Sequence, residues 1–183
     1  MPHAALSSAP QRVWSASIGS GNSRRNRIAA APVVEGGRVF TMDARTVVTA
    51  TSTGGGTLWS ADLTAGFDRG GEVSGGGLAA SGGTLFVTTG YGELVALNGA
   101  NGQVIWRQRL DSVLAGSPAV EGGVVYAGGR DGSAWAVSAA DGRVIWQVVG
   151  SPGFTGMLGS AAPAVGDRAV IFPSASGDLK AVV

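Results

Sequence analysis

The stretch Gly77–Trp106, GLAASGGTLFVTTGYGELVALNGANGQVIW, can be laid on Ser117–Trp146, SPAVEGGVVYAGGRDGSAWAVSAADGRVIW, and the apolar runs, glycine turns and final tryptophan fall into register. Ala31–Trp59, APVVEGGRVFTMDARTVVTATSTGGGTLW, follows with a looser second half. Working outward, Trp14, Trp59, Trp106 and Trp146 recur at intervals of 45, 47 and 40 residues (59−14, 106−59, 146−106). A repeat of ~40 to 45 residues built from several short strands predicts radially packed propeller blades rather than one irregular sheet.

Turn signals cut the third repeat into four strands: Ala119-Val120, Val124–Ala127, Ser133–Val137 and Arg143–Val148. Gly122-Gly123, Asp131-Gly132 and Asp141-Gly142 open the three hairpins that separate them, and the Asp-Gly pairs are expected to supply the positive φ values of a tight type I′ turn. Proline precedes the first strand at Pro32, Pro118 and Pro163, where a missing N–H costs little, and Gly77 takes that place in the second repeat. Ala50, Ala96, Ala136 and Ala181 occupy equivalent sites in the third strand, and a small side chain there suits close approach of neighbouring sheets. Each tryptophan follows on the fourth strand and is assigned to docking one blade on the next: Trp14, Trp59, Trp106 and Trp146.

The fold class is therefore all-β, a propeller of four-stranded antiparallel blades. Residues 1–12 read as a flexible N-terminal segment and 13–183 as a partial propeller. Within it, 13–18 (VWSASI) forms a lone outer strand, blades fall at about 29–63, 77–110 and 117–149, and 162–183 is an incomplete blade. Two closures are conceivable: a compact four-bladed ring completed by the Trp14 strand, or part of a wider ring. The wider ring suits blades of this length, and its raw edges would invite pairing with another chain.

Composition excludes several function classes. With 44% hydrophobic residues, 14% charged residues and a net charge of +1, the chain can build a core but offers no broad field for a phosphate backbone, so nucleic acid is not an expected partner. The absence of cysteine excludes disulfides and thiol chemistry. No apolar span of ~18 residues occurs, and Met1–Pro10 lacks the charged start and apolar stretch of a signal peptide, so no direct membrane insertion is expected. His3 is the only histidine, which rules out a His-based triad or a multi-His metal site. Gly90-Tyr91-Gly92 leads into a strand and lacks a third glycine, unlike a dinucleotide loop. Arg24, Arg25 and Arg27 form the one basic cluster, read as solvated charge or as a contact for an acidic partner. Trp135 and Tyr91 lie off the repeat pattern and are open to two readings, surface anchor or core.

Leu94-Val95-Ala96-Leu97-Asn98, then Asn101-Gly102 and Trp106, resembles the pyrroloquinoline-quinone (PQQ) type propeller repeat, and Ala136-Val137-Ser138 with Asp141-Gly142 and Trp146 repeats it. In order and wording, through Gly90–Leu97 and Ala161–Val165, the chain is similar to the BamB family of outer-membrane assembly factors. That resemblance implies an eight-bladed ring of which this chain holds about four blades. It implies a periplasmic, non-enzymatic scaffold at the outer membrane, without cofactor, whose partner is the periplasmic part of the BamA insertase. The family's lipid-bearing cysteine has no counterpart here. Its partner-binding loop matches Gly150–Ser160, in which Phe154, Thr155, Met157 and Leu158 are the candidate contact residues; the alternative is that Phe154 and Leu158 fold back over the blade end. The repeat also admits a PQQ-dependent quinoprotein dehydrogenase, which would need several oxygen ligands converging on Ca²⁺, and beyond that a propeller gripping some other protein. Most acidic residues fall at hairpin turns. Asp43, Asp62, Asp68, Glu72 and Asp111 do not, and they lack ligand spacing.

Overall fold

The computed structural model describes residues 11–24, 26–66, 75–114, 116–150, 161–173 and 178–183. Among the described residues, fifteen strands form four consecutive antiparallel sheets and there is no helix. The first sheet holds β1 (Val33–Glu35), β2 (Arg38–Met42), β3 (Val47–Ser52) and β4 (Thr57–Asp62). The second holds β5 (Gly76–Ser81), β6 (Thr84–Thr89), β7 (Glu93–Asn98) and β8 (Val104–Arg109). The third holds β9 (Ala119–Glu121), β10 (Val124–Gly128), β11 (Ala134–Ser138) and β12 (Val144–Val148). The fourth has three described strands: β13 (Ala164–Val165), β14 (Val170–Pro173) and β15 (Leu179–Val182). Strand order equals chain order in every sheet, and β1, β5, β9 and β13 lie against one another in succession. First strands on the inside and fourth strands on the outside make a partial β-propeller.

Each inner sheet is buried on both faces, which explains why the strands read as unbroken apolar runs instead of alternating. In β7, Val95 and Leu97 pack with Phe40, Met42, Val48 and Ala50 of the first sheet. On the opposite face, Leu94 and Ala96 pack with Val125, Ala127, Trp135 and Val137 of the third. Tyr126, Ala134 and Trp146 in turn meet Val170 and Phe172 of the fourth. Trp135 is a fully buried core residue of the second interface and Tyr91 is also buried, so both belong to the interior and neither is a surface anchor.

One cross-strand row recurs. Ala50 lies opposite Phe40 on one side and Trp59 on the other; Ala96 lies between Phe86 and Trp106, and Ala136 between Tyr126 and Trp146. The small alanine lets the outer tryptophan reach the aromatic ring of the second strand, with centroids 5.9, 6.0 and 6.1 Å apart and near-identical tilts of 41°, 43° and 42°. Such tilted pairs add to simple burial. A β-bulge follows the alanine in all three sheets, where it increases the local twist.

Two sequence expectations are corrected. Residues 13–18 are not paired as a strand with any described strand, because a fourth strand needs a third beside it to form a ladder. The Asp-Gly pairs are not type I′ turns, because positive φ occurs at Gly132 (77°) and Gly142 (75°) but at neither aspartate. Asp131-Gly132 closes a type I turn ending in a left-handed glycine, with Gly132 N–H bonded to Gly129 C=O at 3.0 Å. Positive φ at both central residues belongs to the Gly-Gly hairpins, 36–37, 82–83 and 122–123.

Candidate functional site

A meandering sheet has two ends. The turns between first and second strands and between third and fourth strands share one rim, bonded to each other through Thr53 N–H to Gly37 C=O, Gly99 N–H to Gly83 C=O and Ala139 N–H to Gly123 C=O. This is the tryptophan rim. The turns between second and third strands share the other with the crossovers that carry the chain to the next sheet, as in Leu63 N–H to Thr46 C=O and Leu110 N–H to Gly92 C=O. This is the crossover rim.

On the tryptophan rim one contact is repeated. The Trp59 indole N–H donates to Gly99 C=O at 3.1 Å, Trp106 to Ala139 at 3.0 Å and Trp14 to Thr53 at 2.9 Å. Each acceptor lies in the third turn of the following sheet. Beneath the rings sit Gly102, Gly142 and Gly55, all at positive φ. A Cβ there would fall 2.5, 2.7 and 2.9 Å from the indole. Glycine is thus required twice, for the backbone and for the ring. Trp14 makes this contact without belonging to a strand. Among the described residues, Trp146 has no such turn above it; its ring packs edge-on to Phe172 with centroids 6.1 Å apart. A cleft of about 220 Å³ lies beside it, lined in part by Tyr126, Trp146, Arg168 and Val183.

The crossover rim is built from side-chain hydrogen bonds. Asp43 is buried and accepts N–H groups of Ser20, Arg45 and Val47, each at 2.8 Å, tying the segment before the first sheet to its second turn. Asp131 does the equivalent in the third sheet: its carboxylate accepts the Ser112 hydroxyl at 2.8 Å and the Ser133 N–H and hydroxyl at 3.0 Å each. Burial pulls the Asp131 pKa upward, but the bonds from Ser133 and Ser112 outweigh it and hold the group below the usual carboxylate value. The Ser133 hydroxyl accepts Gly150 N–H at 3.0 Å, and Lys180 of the fourth sheet donates to Gly132 C=O at 2.8 Å. Gly150 lies so close to Asp131, Gly132 and Ser133 that no side chain could occupy its position.

Gly150 is the root of the loop singled out from sequence, and it packs against the Asp131–Ser133 turn, bonded to the Ser133 hydroxyl. Phe154, Thr155, Met157 and Leu158 themselves lie outside the described residues, as do His3, Arg25, Asp68 and Glu72. Sequence reasoning missed the lock formed by Ser112, Asp131, Ser133 and Lys180. Asp131 was legible as a turn former, but Ser112 lies 19 residues before it in the chain (131−112), and Lys180, which bonds the Gly132 C=O of the same turn, lies 48 residues beyond Gly132 (180−132). Among the described residues no group of three or more His, Cys, Asp or Glu converges. The oxygens of Asp43 and Asp131 are already spent on turn N–H and hydroxyl groups.

A radial array of four-stranded sheets joined by indole-over-glycine contacts defines a PQQ-like β-propeller. Within that class, the family model described as outer membrane protein assembly factor BamB matches residues 43–183, and the chain belongs to that family. The crystal structure of BamB from Moraxella catarrhalis superposes with a TM-score of 0.67 at 20% identity, covering 86% of this chain and 45% of that one. Quinohemoprotein alcohol dehydrogenase from Comamonas testosteroni gives a TM-score of 0.61 at 27% identity over 75% of this chain and 22% of that one. The computationally designed Ika4 protein gives 0.68 at 15% identity, over 95% of this chain and 98% of that one. The chain therefore spans less than half the length of the BamB and dehydrogenase structures it matches. Among curated proteins no sequence matches.

Proposed function

We propose that this chain acts as a non-enzymatic scaffold of the outer-membrane β-barrel assembly machinery, in the periplasm, gripping the periplasmic domains of BamA through loops of the crossover rim. The family match over residues 43–183 is the observation that carries the reading. The root at Gly150 supports it by fixing where the loop leaves the crossover rim, through the Gly150 N–H bonded to the Ser133 hydroxyl. Phe154, Met157 and Leu158 are the anchors such a contact would use, with Thr155 between them. The test is binding of the chain to immobilised BamA periplasmic domains. The chain is expected to be retained, and Phe154→Ala with Leu158→Ala together to weaken retention by roughly tenfold, about 1.4 kcal/mol. No retention of the unsubstituted chain would overturn the proposal.

The 27% identity to a quinohemoprotein alcohol dehydrogenase favours a second reading, a quinone-dependent oxidation. The donor set fits it poorly, because the carboxylates of Asp43 and Asp131 serve turn geometry and do not converge. Dye reduction on addition of the quinone, Ca²⁺ and an alcohol would nevertheless establish it over the scaffold.

A further inference from the structure

We infer that the cleft between the first and second sheets on the tryptophan rim binds a free amino acid with an apolar side chain, its carboxylate held by Arg38 and its ammonium by Glu35. The inference rests on the geometry of this cleft and is independent of the scaffold reading.

Two equivalent clefts lie between the first three sheets, beside the repeated indole contact. One, of about 230 Å³, is lined in part by Glu35, Arg38, Phe40, Gly83 and Gly99. The next, of about 310 Å³, is lined in part by Ser81, Thr84, Phe86, Gly123 and Ala139. The two sets correspond place by place. Phe40 and Phe86 each lie opposite the alanine of the third strand, and Gly99 and Ala139 each accept the tryptophan N–H. Glu35 lies opposite Arg38 as Ser81 lies opposite Thr84. The repeat thus explains the shared shape, but it does not explain the charges. In the third sheet the same pair of places holds Glu121 and Val124, so of these three sheets only the first sets an acid opposite a base.

Opposite charges at cross-strand partners attract. Here each turns instead to a backbone group: the Glu35 carboxylate accepts Gly83 N–H across the cleft, and the Arg38 Nη1 donates to Gly36 C=O of its own hairpin. Both bonds are long, at 3.3 Å each, against the roughly 2.7–2.9 Å of a strong charge-assisted bond. The Arg38 Nε–H is buried without an acceptor, an unfavourable state for a donor on a charged group. A carboxylate entering the cleft draws the guanidinium off Gly36 and gives its forked edge the two acceptors it fits. A simple anion would also meet the Glu35 charge. An α-amino acid removes that conflict, because its ammonium and carboxylate sit on one carbon and reach both neighbours at once. Its side chain then lies along Phe40, where Gly83 C=O and Gly99 C=O are already bonded to Gly99 N–H and the Trp59 indole. The volume is below the ~300–1,000 Å³ of drug-sized sites and suits one small molecule.

L-Leucine is the probe, added at neutral pH to the isotope-labelled chain while the amide resonances of Gly83 and Gly99 and the indole N–H of Trp59 are followed. Saturable shifts with a dissociation constant on the order of 1 mM are expected, the scale for so small a ligand in an open cleft. Gly123 and Ala139, in the uncharged cleft, should not respond. Arg38→Gln and Glu35→Gln should each weaken binding roughly tenfold, and unmoved Gly123 and Ala139 resonances in each variant would show an intact fold. On the unsubstituted chain, isovalerate and isoamylamine keep the apolar part with one charge each, and both should bind distinctly more weakly than leucine. The inference is overturned by an absence of saturable shifts at Gly83 and Gly99, by equal shifts in the two clefts, by folded Arg38→Gln that binds leucine undiminished, or by isovalerate binding as tightly as leucine.

Discussion

The two rims of each sheet are made by different means. The tryptophan rim repeats a single device, an indole resting on a left-handed glycine and donating to the carbonyl of the adjoining sheet's turn. The crossover rim shares a backbone bond from crossover to turn, Leu63 to Thr46 and Leu110 to Gly92, but its side-chain ties differ from sheet to sheet: Asp43 collects three N–H groups, Thr88 bonds Gly77 and Gly116, and Asp131 gathers Ser112 and Ser133. One rim solves the general problem of stacking wedges, so its solution can be copied from sheet to sheet. The other carries the connections, which differ in length and course, and each must be tied down individually. A surface that varies locally on a fixed scaffold is where a protein can acquire a specific partner.

The largest expected effect comes from breaking the repeated device where it is complete. Trp106→Ala removes a ring packed on Phe86, on Gly142 and against the third sheet. Large-to-small changes of this type cost about 3–5 kcal/mol when fully buried. Since Trp106 is half-buried, about 3 kcal/mol is expected from urea unfolding. Trp146→Ala should cost distinctly less, because Trp146 has Tyr126 and Phe172 beside it but, among the described residues, no turn glycine or carbonyl acceptor above it. Equal losses at the two positions would show that the turn contact contributes nothing and that only ring stacking matters.

This rim is also the part that was legible in the chain. The spacing of Trp59, Trp106 and Trp146, the alanine nine or ten residues before each, and the glycine turn ahead of it all report interactions internal to the repeat or to its immediate neighbour. Such interactions leave a periodic trace. The 13–18 segment reads as a strand from its local composition, but a ladder also needs a partner, and the segment is paired with none of the described strands. The Asp131 lock left no periodic trace at all. Ser133 shares the turn of Asp131, but Ser112 comes from the crossover between the second and third sheets and Lys180 from a strand of the fourth, and only the folding of the sheets on one another brings them to one turn.

On the crossover rim, Asp131→Asn should cost less than the tryptophan change, about 1–2 kcal/mol near neutral pH, the scale of hydrogen bonds to a charged acceptor with allowance for partial exposure. The folded chain holds the Asp131 proton less tightly than the unfolded chain does. Its contribution is therefore whole above the unfolded value of about 3.9 and is lost as the pH falls through the lower folded value. The difference in stability between the chain and its Asn variant, followed by urea unfolding from pH 7 to pH 3, should shrink toward the acid end. A gap that stays constant with pH would mean that the carboxylate's charge plays no part in the lock. Because Ser133 holds Gly150, the same variant should also raise amide exchange at Gly150 while leaving Trp106 fluorescence unchanged.

The smallest effect is expected at a point where the crossover rim departs from its own rule. Thr46 occupies the turn position that Gly92 and Gly132 fill in the next two sheets, and its φ of 69° is the one positive value at a non-glycine among the described residues. A β-branched side chain in the left-handed region is strained by about 1–2 kcal/mol. Thr46→Gly relieves that strain, but it also enlarges the freedom of the unfolded chain by roughly 0.5–1 kcal/mol relative to a residue with a side chain. The two terms oppose each other, and the strain is the larger. A net gain of about 0.5 kcal/mol is expected, read as a small rise in the urea midpoint at unchanged slope. Thr46 is buried and its C=O receives the Leu63 N–H. If the glycine variant were instead destabilised, the threonine side chain would have to contribute more packing under the crossover than its backbone conformation costs, and the first sheet would be held at this rim by burial, unlike the third, which is held by polar bonds.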